Sequence, residues 1–179
     1  MAYALMLGAT KESYEQELKS RRSIFLNGVH HARELTTISQ IMFTMLGLLH
    51  GYEHGNREYI DLMTNAAIII VPMVNVDGVF YIDKAWIMTS KFEYIRKNRH
   101  VYDKQRGCQP EDQGVDLNRN YDYQFGDNDD GSSGMACAED FRGPFAFSEP
   151  ETKAVRDFLL EHRGVKIALN FHAWGPLFI

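Results

Sequence analysis

Two side chains that commonly bind metal ions stand three residues apart near the start of the chain, at His31 and Glu34. Imidazole nitrogens and carboxylate oxygens are the usual ligands of hydrolytic zinc sites, which take three protein ligands and leave one position for water. A third ligand is therefore required. His172, near the other end of the chain, is the natural candidate because it directly follows an apolar segment.

The segment before His31 predicts a buried strand. Residues 24–26 are apolar and are bounded by Asn27 and Gly28, and helical spacing of apolar residues begins at Leu35. His31 and Glu34 therefore lie at a predicted strand-to-helix corner. In open α/β sheets, ligands bind beyond the carboxyl ends of the strands, which is where this corner is expected.

The segment before His172 also predicts a strand, because apolar and other residues alternate over positions 165–171. A helix is predicted before it, beginning at Ser148, which can cap the first turn ahead of Pro150. A strand reached through a helix runs parallel to its neighbour, so we expect its carboxyl end at the same edge of the sheet as the His31 corner.

The remaining pattern predicts an α/β fold with a mostly parallel, twisted mixed sheet and helices on both faces. Residues 35–49 have helical spacing, and the isoleucine- and valine-rich segment 66–73 is typical of a central strand buried on both faces. We expect a turn at 75–78, a short strand at 3–7 and a surface connection over 11–22.

Length and composition predict one soluble domain over residues 1–179, since 179 residues with 45% hydrophobic content can bury a sizeable core. The net charge is −5 and no basic stripe is present, which argues against nucleic acid or a membrane surface as the partner. No apolar run approaches the roughly 20 residues that a membrane-spanning helix needs. We expect a monomer.

Five separated segments together resemble the zinc carboxypeptidases, and they occur in that family's order. They are GVHHARE, RKNR, GVDLNRNY, FRGPFAFSEPET and LNFH. Each segment is a weak signal alone, but the agreement of all of them is specific. The resemblance covers the chain from about Tyr3 to the last residue, and it implies a zinc-dependent enzyme that removes C-terminal residues from peptides and proteins.

The resemblance implies that His31, Glu34 and His172 bind one zinc ion. It also implies that Asp116 accepts a hydrogen bond from the far ring nitrogen of His31. A carboxylate in that position fixes the imidazole tautomer and raises its basicity as a ligand.

The resemblance further implies roles for three arginines and an asparagine. Arg99 would stabilise the oxyanion, where negative charge develops in the transition state. Asn118 and Arg119 would bind the terminal carboxylate of the substrate, since a guanidinium matches a carboxylate bidentately. Arg33 would line the substrate subsites.

The chain has two cysteines, Cys108 and Cys137, in no metal-binding spacing. Their positions alone leave a disulfide and two free thiols equally open. The resemblance favours the disulfide, because the family often ties this region covalently. A disulfide implies an oxidising compartment, so we expect the extracellular space or the secretory or vacuolar pathway.

One feature departs from the family. Its catalytic glutamate and a tyrosine that closes on the substrate come on segments well after the third ligand, whereas residues 173–179 alone follow His172. We therefore expect a partial catalytic domain that is inactive by itself. Two alternatives stay open: a zinc amidohydrolase of the same superfamily, and a non-catalytic module that binds carboxylates.

Overall fold

The structure is a computed structural model that describes residues 5–7 and 21–173. Its strands and α-helices, in chain order, are β1 (Leu5–Leu7), β2 (Ser23–Gly28), α1 (Thr36–Glu53), α2 (Arg57–Asn65), β3 (Ala67–Val71), α3 (Val76–Thr89), α4 (Pro150–Glu161) and β4 (Val165–Phe171). Short 3-10 helices lie at Asp103–Gln105, Pro110–Asp112 and Leu117–Arg119.

The chain divides into two compact units. Of the described residues, the first unit holds 5–7, 21–28, 36–74 and 157–173, and the second holds 29–35 and 75–156. The surface connection predicted over 11–22 lies almost wholly outside the described residues. That residues 1–179 form a single partial catalytic domain stays a prediction.

The first unit contains a four-stranded sheet in the order β1-β3-β2-β4. Strand β2 runs parallel to β3 and to β4, and β1 runs antiparallel to β3. The predicted α/β class and mostly parallel mixed sheet are therefore confirmed. The isoleucines of β3 are almost fully buried, as expected for a strand with neighbours on both sides and side chains covered on both faces.

Helices cover both faces of this sheet. Leu26 of β2 and Ile68 of β3 pack with Ile41 of α1 on one face. Because successive strand residues point to opposite faces, Phe25 lies on the other, where its ring centroid is 5.8 Å from that of Phe158 in α4. Among the described helices, none is long and apolar enough to cross a membrane.

The carboxyl end of β2 packs tightly against α1. A Cβ atom at Gly28 would lie 2.7 Å from Cδ1 of Ile41 and 3.2 Å from the hydroxyl of Thr37. No ordinary side chain fits at that distance, so glycine allows the strand to end directly against the helix. The predicted strand-to-helix corner follows at this point.

The turn predicted at 75–78 is wrong, because α3 begins there. The side chain of Asn75 accepts a hydrogen bond from the backbone N–H of Gly78 at 3.0 Å and so caps the helix. Asparagine, aspartate and glycine favour turns and helix N-termini alike, so the local sequence does not separate the two. Gly78 also admits a close neighbour, since a Cβ there would lie 2.6 Å from Cβ of Ala32.

The start of α4 differs in detail from the prediction. The helix begins at Pro150, but the hydroxyl of Ser148 donates to Oε1 of Glu149 at 2.7 Å rather than capping the helix. Helix α2 was not indicated by the spacing of apolar residues. It begins after Asn56, whose side chain accepts a hydrogen bond from the N–H of Glu58 at 3.0 Å.

Candidate active site

The segment that carries His31 starts from a strained backbone position in the second unit. Val29 is fully buried and has a φ of 55°, which is unusual for a β-branched residue. Its carbonyl accepts a hydrogen bond from the N–H of Asn75 at 2.9 Å, and the N–H of Ala32 donates to the carbonyl of Arg96 at 3.1 Å. Strain of this kind persists where the surrounding structure holds it, and it is common at functional sites.

The imidazole of His31 lies between two carboxylates. Its Nδ1 is 2.7 Å from Oε1 of Glu34, and its Nε2 is 3.2 Å from Oδ1 of Asp116. His31 and Asp116 are both buried. With Nε2–H donating to Asp116, Nδ1 presents its lone pair on the side of Glu34. A nitrogen and a carboxylate oxygen held side by side fit the ligand chemistry of zinc.

The charges around His31 favour a cation at this position. Burial lowers the pKa of His31, but hydrogen bonds to Asp116 and Glu34 raise it more, so that it lies above its usual value. Burial raises the pKa of Asp116, but the hydrogen bond to His31 and the charges of His31 and Arg96 bring it below its usual value. Asp116 therefore stays ionised and attracts positive charge to the imidazole.

Arg96 is a member of this cluster that the sequence analysis missed. Its Nε donates to Oδ2 of Asp116 at 2.8 Å, and its Nη1 lies 3.4 Å from Nδ1 of His31. Asp116 thus uses one oxygen for His31 and the other for Arg96. The sequence signal for this residue is the RKNR segment, which begins at Arg96.

Two of the three arginines predicted to act on the substrate, Arg99 and Arg33, are held by groups of their own unit. Nη1 of Arg99 donates to the carbonyl of Pro110 at 3.0 Å, and its Cζ lies 4.2 Å from the ring centroid of Tyr81. Nη1 of Arg33 donates to Oε1 of Glu139 at 2.5 Å. Both side chains are therefore held in place by contacts with other residues of the protein.

Asp116 also organises the segment that carries Asn118 and Arg119. Its Oδ1 accepts a hydrogen bond from the N–H of Asn118 at 2.9 Å and caps the 3-10 helix Leu117–Arg119. Nε of Arg119 donates to the carbonyl of Gly131 at 2.6 Å. One carboxylate therefore fixes the ring of His31 and the start of the turn on which Asn118 and Arg119 lie.

His172 lies in the first unit, directly after β4, and is exposed. In the register of β2 with β4, Phe171 pairs with Gly28. The two strands are parallel, so the chain leaves both at the same end of the sheet. The predicted strand before His172 is confirmed by β4.

Cys108 and Cys137 form a disulfide in the structure, with Cα atoms 5.4 Å apart and a sequence separation of 29. The bond closes a loop of the second unit, and this loop contains the 3-10 helix Leu117–Arg119. Of the two alternatives that the cysteine positions left open, the structure has the bonded one.

Lys97 is 1% exposed, and its Nζ donates to the carbonyl of Ala138 at 2.7 Å. Burial lowers the pKa of Lys97 to about 8, although nearby carboxylates act in the opposite direction. The lysine between the two arginines of the RKNR segment is thus an interior group and not part of a solvated basic face. It joins this segment to the loop that contains Cys137.

The model of the zinc carboxypeptidase family matches residues 3–179. Among curated proteins, carboxypeptidase B of Astacus astacus is 29% identical over 160 residues, which are 87% of this chain and 46% of that protein. Carboxypeptidase A6 of Mus musculus is 34% identical over 178 residues, which are 99% of this chain and 36% of that protein.

Solved structures of carboxypeptidases share the fold. Bovine thrombin-activatable fibrinolysis inhibitor in complex with tick carboxypeptidase inhibitor matches with a TM-score of 0.72 and 26% identity, over 97% of this chain and 49% of that chain. Carboxypeptidase A from Helicoverpa armigera matches with a TM-score of 0.68 and 27% identity, over 97% of this chain and 41% of that chain.

The chain spans less than half the length of these relatives. The family match nevertheless extends over almost all of its residues, including the candidate ligands His31, Glu34 and His172. This chain belongs to the zinc carboxypeptidase family.

Proposed function

We propose that the protein is a zinc-dependent metallocarboxypeptidase that removes C-terminal residues from peptides and proteins. The observation that carries the proposal is the placement of His31 between Glu34 and Asp116, which suits a metal-binding imidazole. Zinc in such a site supplies Lewis acidity to water and to a peptide carbonyl. The ligands would be His31, Glu34 and His172.

The sheet register supports His172 as the third ligand. Strands β2 and β4 are parallel neighbours with Gly28 opposite Phe171. His172 follows Phe171 directly, and His31 follows Gly28 by three residues. Chain connectivity therefore directs both histidines to the carboxyl end of the sheet, which is where α/β folds bind ligands.

The substrate would be positioned by charged and polar groups of the second unit. We assign the oxyanion to Arg99, the terminal carboxylate to Asn118 and Arg119, and a wall of the subsites to Arg33. The support is their place in the family's segments and the cap from Asp116, which fixes the turn of Asn118 and Arg119 next to His31. Asp116 would hold the tautomer of His31.

We further propose that the protein acts in the extracellular space or in the secretory or vacuolar pathway, as a monomer, on the C-termini of peptides or proteins. The disulfide between Cys108 and Cys137 supports an oxidising compartment. One similar structure contains a carboxypeptidase inhibitor as partner, which is the kind of protein ligand that this site would also bind.

The test compares two peptides that differ only in a free or an amidated C-terminus, using the zinc-loaded whole protein. The wild type should cleave the free peptide far faster. Arg119→Ala should lower kcat/KM on the free peptide about tenfold to a few hundredfold, because a charge-assisted contact contributes roughly 1.5–3 kcal/mol.

The matched control is Arg106→Ala, since Arg106 is a surface residue that pairs with Asp103. It should retain wild-type kinetics on both peptides. Equal cleavage of the free and the amidated peptide by the wild type would contradict the carboxylate-binding role and favour an amidohydrolase. Zinc binding without any hydrolysis by the whole protein would favour a binding module.

A further inference from the structure

Two histidines lie one helical turn apart at the carboxyl end of α1, in the first unit. His50 is in the last turn of the helix, and His54 directly follows its last residue, Glu53. The N–H of His54 donates to the carbonyl of His50 at 3.0 Å, so the helical hydrogen-bonding pattern extends to it. Residues four apart on a helix project from the same face, which brings the two imidazoles together.

The two imidazole rings are in contact with each other and exposed to solvent. Their centroids are 3.9 Å apart and their planes are inclined by 36°. In a tetrahedral zinc site two ligand nitrogens are about 3.3 Å apart, since each lies about 2.0–2.1 Å from the ion. The separation of the rings is therefore already close to the one that chelation by both imidazoles requires.

A hydrogen bond fixes the tautomer of His54. Its Nδ1 lies 2.9 Å from the carbonyl oxygen of His50. Because a carbonyl oxygen can only accept, Nδ1 carries the hydrogen, and in the neutral ring Nε2 then keeps its lone pair. Histidines that bind metals commonly donate their other ring N–H to a backbone carbonyl or a carboxylate, which orients the ring. His54 therefore has the supporting hydrogen bond that is typical of a metal ligand.

The ring nitrogens that would bind an ion have no competing hydrogen-bond partner. No group within residues 5–7 and 21–173 hydrogen-bonds to the ring of His50 or to Nε2 of His54. Rotation of the His50 ring therefore breaks no hydrogen bond to the protein, and it can direct a nitrogen to the ion that Nε2 of His54 binds. The net charge of −5 also favours cations over anions near the protein.

We propose that His50 and His54 form a binding site for a divalent transition-metal ion, namely Cu²⁺, Ni²⁺ or Zn²⁺, that shares no residue with the candidate zinc ligands. Helices present two histidines to one ion at this same spacing of four residues. Imidazole suits all three ions, and Cu²⁺ binds most tightly of them. Water completes the coordination, and the bound ion joins the last turn of α1 to the residue that follows it.

The test measures Cu²⁺ binding to the whole protein, preloaded with one equivalent of Zn²⁺, by isothermal titration calorimetry. His50→Gln and His54→Gln should each weaken the binding of one Cu²⁺ ion at least about tenfold, because the second imidazole of a chelate acts at a high effective concentration. The candidate zinc ligands are unchanged in every protein, so binding there contributes equally. Equal affinities would overturn the inference and leave the two histidines as a contact at a helix terminus.

A spacing control keeps the number of exposed histidines constant. Tyr52→His combined with His54→Gln leaves two histidines only two residues apart, and such residues do not face each other on a helix. Tyr52 is 48% exposed, so the change leaves the core intact. This variant should bind Cu²⁺ no more tightly than His54→Gln alone. Binding as tight as that of the wild type would show that the spacing has no role and would overturn the inference.

Amide hydrogen exchange locates the ion on the chain. The N–H groups of residues 54–56 donate to carbonyls in the last turn of α1. An ion held by both imidazoles opposes the opening of this turn. Free Zn²⁺ at about ten times its Kd should therefore slow exchange of these amides about tenfold in the wild type and leave it unchanged in His50→Gln. Equal slowing in the two proteins, or none in the wild type, would overturn the inference.

Discussion

Asp116 contacts three residues of the candidate site with its two carboxylate oxygens. Its Oδ1 accepts hydrogen bonds from Nε2 of His31 and from the N–H of Asn118, and its Oδ2 accepts one from Nε of Arg96. A buried carboxylate with this many partners acts as a fixed reference point, because moving any partner leaves its charge poorly compensated. The orientation of His31, the candidate metal ligand, is therefore coupled to that of the turn proposed to bind the substrate.

Asp116→Asn tests this coupling through metal binding. The amide can still accept from one partner, but it loses the charge that holds the imidazole, so zinc affinity should fall about 10- to 100-fold. Competition with a chelator of known affinity measures the change. Asp122→Asn, at an exposed position on the same loop, serves as the control. Equal affinities for wild type and Asp116→Asn would contradict the assigned role.

The lowered pKa of Lys97 predicts that the free energy of unfolding depends on pH. Burial lowers its pKa from 10.5 to about 8. The charge of Arg99 also lowers this pKa, whereas the charges of nearby aspartates raise it; these are Asp112, Asp116 and Asp140. Between these values the unfolded chain binds more protons than the folded one, so the free energy of unfolding rises with pH across about 8 to 10.5. Below that window the protonated, buried lysine costs stability.

The measurement compares urea unfolding of the wild type and Lys97→Met from pH 7 to pH 10.5. Because methionine does not titrate, the wild type should gain roughly 1–3 kcal/mol relative to the variant over this range. Parallel stability curves would show that Lys97 has no lowered pKa in the folded state.

At the scale of elements, the candidate site depends on a segment with little regular structure. Between α3 and α4 the structure contains short 3-10 helices and loops, and the last of these helices, Leu117–Arg119, carries two proposed substrate-binding residues. Such a segment lacks the repeating backbone hydrogen bonds of a long helix or sheet. Side-chain contacts of Asp116, Asn98 and Asn120, together with the disulfide, hold it instead.

The disulfide should make a measurable contribution to stability. Closing a loop of about thirty residues stabilises by roughly 3–4 kcal/mol in the chain-entropy model. Replacing Cys108 and Cys137 by serine should lower the free energy of unfolding by an amount of that order, measured in urea. Thiol counting under denaturing, non-reducing conditions should find no free thiol in protein from an oxidising compartment. Two free thiols per chain would contradict the bond.

At the scale of the whole molecule, the chain matches its family over residues 3–179 but spans at most 49% of the length of the carboxypeptidases and solved structures named above. The family match over residues 3–179 and the ability to hydrolyse a peptide are therefore separate properties. The distinction matters because peptide hydrolysis needs a positioned general base in addition to a metal.

We predict that the 179-residue chain assayed alone, loaded with zinc, hydrolyses peptides negligibly. Glu34 is assigned as a ligand, Glu139 pairs with Arg33, and Glu149 is enclosed by donors, so none of these carboxylates is placed to act as the base. General acid–base catalysis contributes about 10²–10⁴-fold. Rates for the chain alone that equal those of the whole protein, at equal zinc occupancy, would contradict this prediction.

Local periodicity explains which elements were predictable. The strands β2 and β3 and the helix α1 follow from the spacing of apolar residues, because each buries apolar side chains along its length. Strand β4 follows from the alternation of its apolar residues, although its side chains are exposed or half-buried in the structure. Helix α3 was missed because Asn75 and Gly78 favour a turn as readily as a cap. The side chain of Asn75 that caps α3 also donates to the carbonyl of His30 at 3.1 Å, a contact across 45 residues that the local sequence does not encode.

The sequence by itself determined the chemistry of the candidate ligands His31, Glu34 and His172, the family, and the parallel arrangement of strands. Only the tertiary structure decided the partners of buried polar groups. Arg96 reaches Asp116 across 20 residues, and Glu149, which the sequence suggested only as part of a helix start, reaches Asn98 across 51. Burial makes an unpaired polar group costly, yet which donor satisfies it depends on separation in space and leaves no periodic signal along the chain.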